Sequence, residues 1–134
     1  MQQYRVCRHI IVLIEKGELT SGSTWHAAGN LPTFSTSWSI LKLQKYSASL
    51  YRRLAASAEN PINYHLTGSV RLAHTRNRMD EFHHVQSMAK ANGLEYEILS
   101  PSDLKDRYPL IETHDLKGAL WDPLDGDIDP SQLT

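Results

Sequence analysis

An uninterrupted apolar run near the start of this 134-residue chain constrains its fold more than any other feature. The run Ile10–Ile14 consists of isoleucine, valine and leucine only. Such runs are typical of strands that are buried on both faces of a parallel sheet. The run ends at an acidic residue, Glu15, so the sequence predicts a buried strand with a carboxylate at its carboxyl end.

The segment after this strand is rich in glycine and hydroxyl side chains, and it then becomes aromatic at Trp25 and His26. Small residues on both sides of these two would let backbone approach a large planar ligand that the aromatic side chains face. In dinucleotide-binding units, an acidic residue at the end of the second strand accepts hydrogen bonds from the adenosine ribose. Glu15 fits that position.

The run EKGELTSGSTWHAAG, which covers Glu15 to Gly29, resembles the segment of dimethylglycine and sarcosine dehydrogenases in which FAD is attached covalently through the histidine. Two later segments resemble the same family in the same order, GSVRLA at residues 68–73 and WDPLDGDIDP at residues 121–130. The histidine of the first segment is His26. The resemblance therefore implies covalent attachment of FAD through His26 in the full-length protein.

The resemblance also implies a fold, which is α/β and becomes α+β in its second part. Residues 1–30 would be the remnant of a Rossmann-like FAD-binding unit, comprising its second strand and the flavin-attachment loop. Residues 31–134 would begin the substrate portion that covers the flavin. Both parts belong to the same oxidoreductase domain, with no flexible linker between them.

Ten residues of the first segment are candidate cofactor contacts, and the main ones have alternative interpretations. His26 could pack beside a buried tryptophan, Glu15 could be an ordinary charged residue at a strand end, and residues 22–24 could form a solvent loop. Trp25 could equally line the flavin site or lie in the core. We assign no catalytic residue. The candidates are Glu15, Lys16, Gly22, Ser23, Thr24, Trp25, His26, Ala27, Ala28 and Gly29.

The activity implied by the resemblance is FAD-dependent oxidation of an N-methyl amine of the dimethylglycine or sarcosine type, by hydride transfer to the flavin. It implies electron-transfer flavoprotein as a partner and a tetrahydrofolate-binding portion beyond Thr134. The compartment is expected to be intracellular, cytoplasmic in a bacterium or the mitochondrial matrix in a eukaryote. The single cysteine, Cys7, agrees with a reducing compartment.

One part of the family pattern is missing from this chain. FAD-binding units of this kind begin with a Gly-x-Gly-x-x-Gly turn and a helix N-terminus that hold the pyrophosphate, whereas Met1–His9 contains no glycine. We therefore expect the chain alone to bind FAD poorly and to be inactive. The missing turn also supports a second hypothesis, a non-catalytic fragment or a partner-binding module without FAD.

Charge and hydropathy argue against several other classes of function. The 14 basic and 15 acidic residues leave a net charge of −1, which offers no electrostatic argument for binding nucleic acid or an anionic membrane. No apolar run approaches the ~20 residues of a membrane span. His83 and His84 are adjacent, so they face different directions on a helix, and the seven histidines predict no metal site.

Periodicity and capping residues predict the remaining elements. An amphipathic helix is expected over Ser39–Ala58, with Ile40, Leu43, Leu50 and Leu54 on one face and Asn60–Pro61 as its end.

A second helix is expected over Arg76–Asn92, with Met79, Phe82, Val85 and Met88 or Ala89 on its inner face, Thr75 as N-cap and Gly93 as C-terminal stop. Ser100 should cap a short helix Pro101–Arg107. Strands are expected at residues 69–73, 96–99 and 117–121, before a turn-rich loop at 122–130.

Three further side chains were considered for a role. Trp38 and Trp121 are predicted to lie in the core. Arg71 offers a planar two-pronged donor for a substrate carboxylate, but an arginine that alternates outward on a strand is more often solvated. We therefore assign Arg71 no role.

Overall fold

The computed structural model describes residues 12, 14–57 and 62–134, and there the chain mixes helices with two small sheets. After a 3₁₀ turn at Thr24–His26, the elements are β1 Asn30–Leu31, α1 Trp38–Ala55, β2 Tyr64–His65, β3 Ser69–Ala73, α2 Arg76–Ala91, β4 Glu97–Leu99, α3 Pro101–Arg107, β5 Gly118–Asp122, β6 Gly126–Ile128 and α4 Pro130–Leu133. The α+β character predicted for the part from residue 31 onward is confirmed.

The two sheets are connected at their central strands. Both have three antiparallel strands, in the orders β1-β6-β2 and β3-β5-β4. The central strands β5 and β6 follow each other in the chain and are separated only by residues 123–125. This short connection is therefore the point at which the two sheets meet.

Helix α2 packs on the sheet through the face predicted from its periodicity. Phe82, Val85 and Ala89 are buried in one cluster with Leu120 of β5, and Met79 and Met88 pack partly buried against it. Each buried side chain of this size contributes about 1.5–3 kcal/mol. A second, smaller cluster lies under α3 and is formed by Leu99, Leu104, Leu116 and Ala119.

The capping residues predicted for α2 and α3 are also confirmed. The Thr75 side chain accepts a hydrogen bond from the Arg78 N–H at 3.2 Å, and α2 stops at Gly93, whose φ is +69°. Ser100 and Asp103 form a reciprocal capping box at the start of α3. These ends depend on local side-chain chemistry, so the sequence specifies them well.

The predicted inner face of α1 is wrong for three of its four residues, and the fourth, Leu50, is half-buried. The structure buries Leu41 and Ala48, whereas Leu43 is 61% exposed, Ile40 48% and Leu54 36%. Two neighbouring stripes of α1 carry apolar residues, and periodicity alone does not decide which of them faces the core. Trp38 is likewise 44% exposed rather than buried, while Trp121 packs partly buried against the smaller cluster.

The strand predicted over Ile10–Ile14 lies mostly outside the described residues. Val12 and Ile14 are described; they belong to no strand and are 72% and 89% exposed. No described strand pairs with them. The helix end predicted at Asn60–Pro61 also falls outside the described residues, and α1 ends at Ala55.

Three short strands were not predicted, namely β1, β2 and β6. The strands have only two or three residues each, which is too few for an alternating pattern to be recognised. Strand β6 lies inside the segment that we expected to be a turn-rich loop. Pairing with distant segments, rather than local propensity, makes it a strand.

Gly29 is expected to be indispensable for the pairing of β1 with β6. Its φ is +77°, and a Cβ atom there would lie 2.2 Å from the Ile128 carbonyl oxygen. We predict that Gly29→Ala lowers the free energy of unfolding by about 2–4 kcal/mol. Urea unfolding followed by far-UV circular dichroism measures this.

Gly22→Ala is the matched control, because a Cβ at Gly22 meets nothing within 4 Å. It should change the free energy of unfolding by less than about 1 kcal/mol. Equal urea midpoints for the two variants would show that the contact between Gly29 and Ile128 does not constrain the fold.

Candidate functional site

Glu15 turns its carboxylate back onto its own loop. Its Oε1 accepts hydrogen bonds from the backbone N–H groups of Lys16 at 2.8 Å and Gly17 at 3.1 Å, and the side chain is exposed. Oε2 accepts no hydrogen bond from the residues that the structure describes. The role of Glu15 as a ribose acceptor stays a prediction, for which this second oxygen is available.

Trp25 and His26 form an exposed aromatic pair on the 3₁₀ turn. Their ring centroids are 3.6 Å apart with the planes tilted by 35°, and Trp25 is 63% exposed. The His26 Nδ1 lies 3.3 Å from the Gly22 carbonyl oxygen. When Nδ1 donates to that carbonyl, Nε2 carries the lone pair of the neutral imidazole. Both rings are exposed in the part of the chain that the structure describes, and the roles of Trp25 and His26 stay predictions.

Strand β6 and helix α4 hold the end of the segment at residues 24–29, where flavin attachment is predicted. The Ile128 N–H donates to the Gly29 carbonyl at 3.0 Å, and β1 continues this pairing with β6. The Thr134 hydroxyl lies 3.4 Å from that of Thr24. The loop residues 24–29 are therefore positioned by a segment about a hundred residues later in the sequence.

Just beyond β1, Thr33 joins two buried carboxyl groups. Its N–H donates to Asp125 Oδ1 at 2.5 Å. Its hydroxyl donates to Asp122 Oδ2 at 2.5 Å and lies 3.2 Å from Asp125 Oδ1. The exposed fractions are 1% for Thr33, 0% for Asp122 and 4% for Asp125. We call these three residues, together with Ser69 and Arg71, the acid cluster.

Ser69 and Arg71 of β3 complete the acid cluster on its other side. The Ser69 hydroxyl donates to Asp125 Oδ2, and both terminal nitrogens of Arg71 lie 3.2 Å from the same oxygen. The Arg71 guanidinium also lies 4.4 Å above the Phe34 ring. Arg71 is thus paired and largely buried, contrary to the expectation that it is solvated.

The two carboxyl groups of the acid cluster differ in their pKa values. Burial raises the pKa of Asp122 from its ordinary value of 3.8 to about 6, and the neighbouring charge of Asp125 adds to the rise. Burial also acts upward on Asp125, but hydrogen bonds from Ser69 and Thr33 and the charge of Arg71 outweigh it and hold its pKa below the ordinary value. Asp125 is therefore the anion of the pair, and Asp122 holds the proton more readily.

Tyr96 closes the acid cluster from the side of the core. Its hydroxyl donates to the Thr33 carbonyl at 2.6 Å. Burial raises the pKa of Tyr96, and the nearby charge of Asp122 raises it further. The phenol therefore stays protonated and remains a donor, and its hydrogen bond holds the Thr33 carbonyl in place.

An open cleft of about 440 Å³ lies between β1, β6 and the start of β3. Arg71 and Asp125 line it, so one side of the acid cluster faces this space. Its lining begins at Asn30 and includes none of residues 15–29. The structure thus places the predicted cofactor segment beside the cleft but does not bring Glu15 and His26 together.

Sequence reasoning missed Thr33, Asp122 and Asp125. A signal was present, because Asp122 ends a buried apolar strand and Asp125 follows it within one turn. Acidic residues at such positions are seldom buried without partners. The partners Thr33, Ser69 and Arg71 are 54 to 92 residues away, so the sequence did not reveal which residues they are.

Within the ranges that the structure describes, no three histidine, cysteine or acidic side chains converge as a metal site would require. Among the same residues, no helix has the length and apolar composition needed to cross a bilayer. The histidines with ring contacts to acids form isolated pairs, His65 with Asp127, His74 with Asp115 and His114 with Glu112.

A sequence model of the family described as FAD dependent oxidoreductase matches residues 5–134. The chain therefore belongs to the FAD-dependent oxidoreductase family. This agrees with the resemblance drawn from the segment around His26 and with the mixed helix and strand architecture.

Three mitochondrial relatives are similar to the chain over most of its length. It is 38% identical over 124 residues to rat dimethylglycine dehydrogenase and 36% identical over 121 residues to human sarcosine dehydrogenase. It is also 37% identical over 115 residues to the regulatory subunit of mouse pyruvate dehydrogenase phosphatase. These matches cover 92%, 90% and 86% of this chain, but only 14%, 13% and 13% of the relatives.

Solved structures confirm the fold. The L-proline dehydrogenase of P. horikoshii superposes with a TM-score of 0.77 at 21% identity, over 84% of this chain and 30% of that one. The glycine oxidase of Geobacillus kaustophilus gives a TM-score of 0.72 at 26% identity, over 89% of this chain and 34% of that one. The chain thus has the architecture of part of an FAD-dependent oxidoreductase.

The residues around His26 fit a flavin. The imidazole and Trp25 are exposed, and the neighbouring Ala27 and Ala28 are small and exposed. Nothing lies within 4 Å of the position that a Cβ on Gly22 would take. A planar ring system can therefore approach this face of the turn without displacing described protein atoms.

We predict that Asp122→Asn alters the pH dependence of stability. The folded protein holds a proton on Asp122 between pH 3.8 and about 6, where the unfolded chain has released it. The contribution of Asp122 to stability is therefore complete below this window and is lost as the pH rises through it. Relative to that of Asp122→Asn, the free energy of unfolding of the unmodified protein should fall by up to roughly 3 kcal/mol between pH 4 and 7.

Asparagine should fit the site, because its amide oxygen can accept from the Leu124 N–H while its NH₂ donates to Thr33. Urea unfolding at several pH values measures the difference. Asp103→Asn is the control of opposite sign: a hydrogen bond from Ser100 lowers the pKa of Asp103, so its contribution is lost as the pH falls. If the two proteins differ in free energy of unfolding by the same amount at every pH, the raised pKa of Asp122 is contradicted.

Proposed function

We propose that this chain is the flavin-attachment segment of an oxidoreductase that oxidises an N-methyl amine of the dimethylglycine or sarcosine type, with FAD bound covalently through His26. The observation that carries the proposal is the exposed His26 imidazole, whose Nδ1 lies against the Gly22 carbonyl. The similarity to dimethylglycine and sarcosine dehydrogenases supports the substrate class.

The residues of the 3₁₀ turn have separable roles in this proposal. With Nδ1 oriented toward the Gly22 carbonyl, His26 would hold the flavin through a bond from Nε2 to its 8-methyl carbon. That bond would replace a methyl C–H bond, the flavin would take up the two electrons and the protons, and molecular oxygen would reoxidise it. Trp25 covers one side of the imidazole at 3.6 Å and restricts its rotation. Glu15 binds the adenosine ribose through Oε2. Bound FAD supplies the acceptor for the hydride that leaves the substrate's methyl carbon.

The test uses the longest natural polypeptide that contains these 134 residues. After denaturing electrophoresis and acid treatment, the unmodified protein should give a fluorescent band. His26→Ala should abolish the band while some non-covalent FAD binding remains. His83→Ala is the matched control, since His83 is an exposed histidine on α2, and its band should be unchanged.

Two outcomes would contradict the proposal in different ways. A band that persists in His26→Ala would place the attachment at another residue. An unmodified protein that binds FAD without a fluorescent band would show that the flavin is held non-covalently. In that second case, amine oxidation by loosely bound FAD would survive as a function, but the role of His26 would not.

A second candidate function is a partner-binding module that does not use FAD. Similarity to the regulatory subunit of mouse pyruvate dehydrogenase phosphatase favours it. We predict that the 134-residue chain alone binds FAD weakly, because the pyrophosphate contacts of a glycine-rich turn are missing. Titration with FAD measures this, and a stoichiometric yellow complex at micromolar FAD would contradict it.

The remaining proposals concern partners and compartment. The family resemblance supports electron-transfer flavoprotein as the electron acceptor and tetrahydrofolate as the acceptor of the one-carbon unit in a further portion of the protein. The curated relatives described above are named as mitochondrial proteins. We therefore propose the mitochondrial matrix for a eukaryotic source and the cytoplasm for a bacterial one.

A further inference from the structure

We infer that Asp125 is a positioning residue for flavin attachment: through Thr33 and strand β6 it sets where the His26 loop emerges from the fold. The inference rests on the proposed covalent attachment at His26. Asp125 itself does not touch the attachment loop, so its effect has to pass through the backbone segments that it holds.

Asp125 stands at a position in the chain from which it contacts several backbone segments. It stands between β5 and β6, the central strands of the two sheets. Its backbone carbonyl accepts from the Gly68 N–H at 2.8 Å, and its carboxylate accepts from Thr33, Ser69 and Arg71. One residue therefore connects the loop before β3, strand β3 itself and the chain just after β1.

The pairing of β1 with β6 is too short to define its own register. It consists of Asn30 opposite Asp127 and Leu31 opposite Gly126, with one further hydrogen bond from Ile128 to Gly29. A shift by one residue would turn every side chain of a strand to its other face. The Thr33 hydrogen bonds to Asp125, directly beside this pairing, oppose such a shift.

The His26 ring is only three residues before Gly29, so the register of β1 decides where the imidazole is placed. Covalent attachment requires a nitrogen aligned with one carbon atom of the ligand, and a displacement of about 1 Å can slow such a step about 100-fold. Loss of the Asp125 carboxylate should therefore impair attachment much more than it impairs reversible binding of FAD.

The experiment measures attachment directly, in the longest natural polypeptide that contains this chain. Purified apoprotein is incubated with FAD, and the flavin that stays with acid-precipitated protein is followed over time. Non-covalent binding is measured separately by titration at early times. For Asp125→Asn we expect attachment to be about 10- to 100-fold slower, with the dissociation constant of FAD changed much less.

Two controls separate positioning from general destabilisation. Glu97→Gln removes a carboxylate from the exposed ion pair with Arg107, which is not a hydrogen-bond partner of the acid cluster, and should attach FAD at the unmodified rate. Val85→Ala opens a cavity in the core beneath α2 and lowers stability without touching Asp125. Its attachment rate should also stay close to that of the unmodified protein at a temperature where both are folded.

Thr33→Val provides an independent variant if Asp125→Asn does not fold. It removes the hydroxyl that joins the two carboxyl groups and keeps the N–H that donates to Asp125. We expect a smaller slowing of attachment, in the same direction. Unmodified attachment rates in Asp125→Asn, or in Thr33→Val when the former does not fold, would overturn the inference. Absence of covalent flavin in the unmodified protein would instead overturn the proposed function and this inference with it.

Discussion

A buried carboxylate with donors on several sides is the interaction on which the rest of this structure depends. Removing an ionised carboxylate from water is costly unless hydrogen bonds and an opposite charge replace the lost hydration. Asp125 obtains these from Thr33, Ser69 and Arg71. Because these donors come from separate segments, satisfying one charge requires the chain to bring those segments together.

The second carboxyl group makes this arrangement possible without an excess of buried charge. Asp122 is adjacent, more deeply buried and holds its proton up to about pH 6, so in acidic solution below that pH the pair carries a single negative charge. The Thr33 hydroxyl lies between the two acids. With Asp122 protonated, the charge of Asp125 is balanced by Arg71, and the interior of the acid cluster is neutral overall.

Much of the helical part of the fold was predictable from the sequence. Helices α2 and α3 have capping residues and a regular apolar period, both of which depend on residues a few positions apart. The inner face of α1 and the strands β1, β2 and β6 were not predictable in this way. Their conformation is set by pairing with distant segments, as in the register between Asn30 and Asp127.

The candidate site shows the same difference between contiguous and distant residues. The segment from Glu15 to Gly29 was recognisable because its glycines, hydroxyl residues and histidine are contiguous. The acid cluster was not, since Thr33 and Asp125 are 92 residues apart. Arg71 was predicted to be solvated because strand alternation places it on the outer side. Its acidic partner, Asp125, lies in the connection between β5 and β6, and pairing with it keeps Arg71 largely buried.

The most direct test of this account is amide hydrogen exchange at three backbone groups of the unmodified protein. The N–H of Thr33 donates to the Asp125 carboxylate, that of Gly68 to the Asp125 carbonyl and that of Ile128 to the Gly29 carbonyl. If Asp125 holds β1, β3 and β6 as one unit, the three amides should exchange slowly and share one free energy of opening. Rapid exchange at Thr33 while Ile128 stays protected would show that the strand pairing beside the attachment loop does not depend on Asp125.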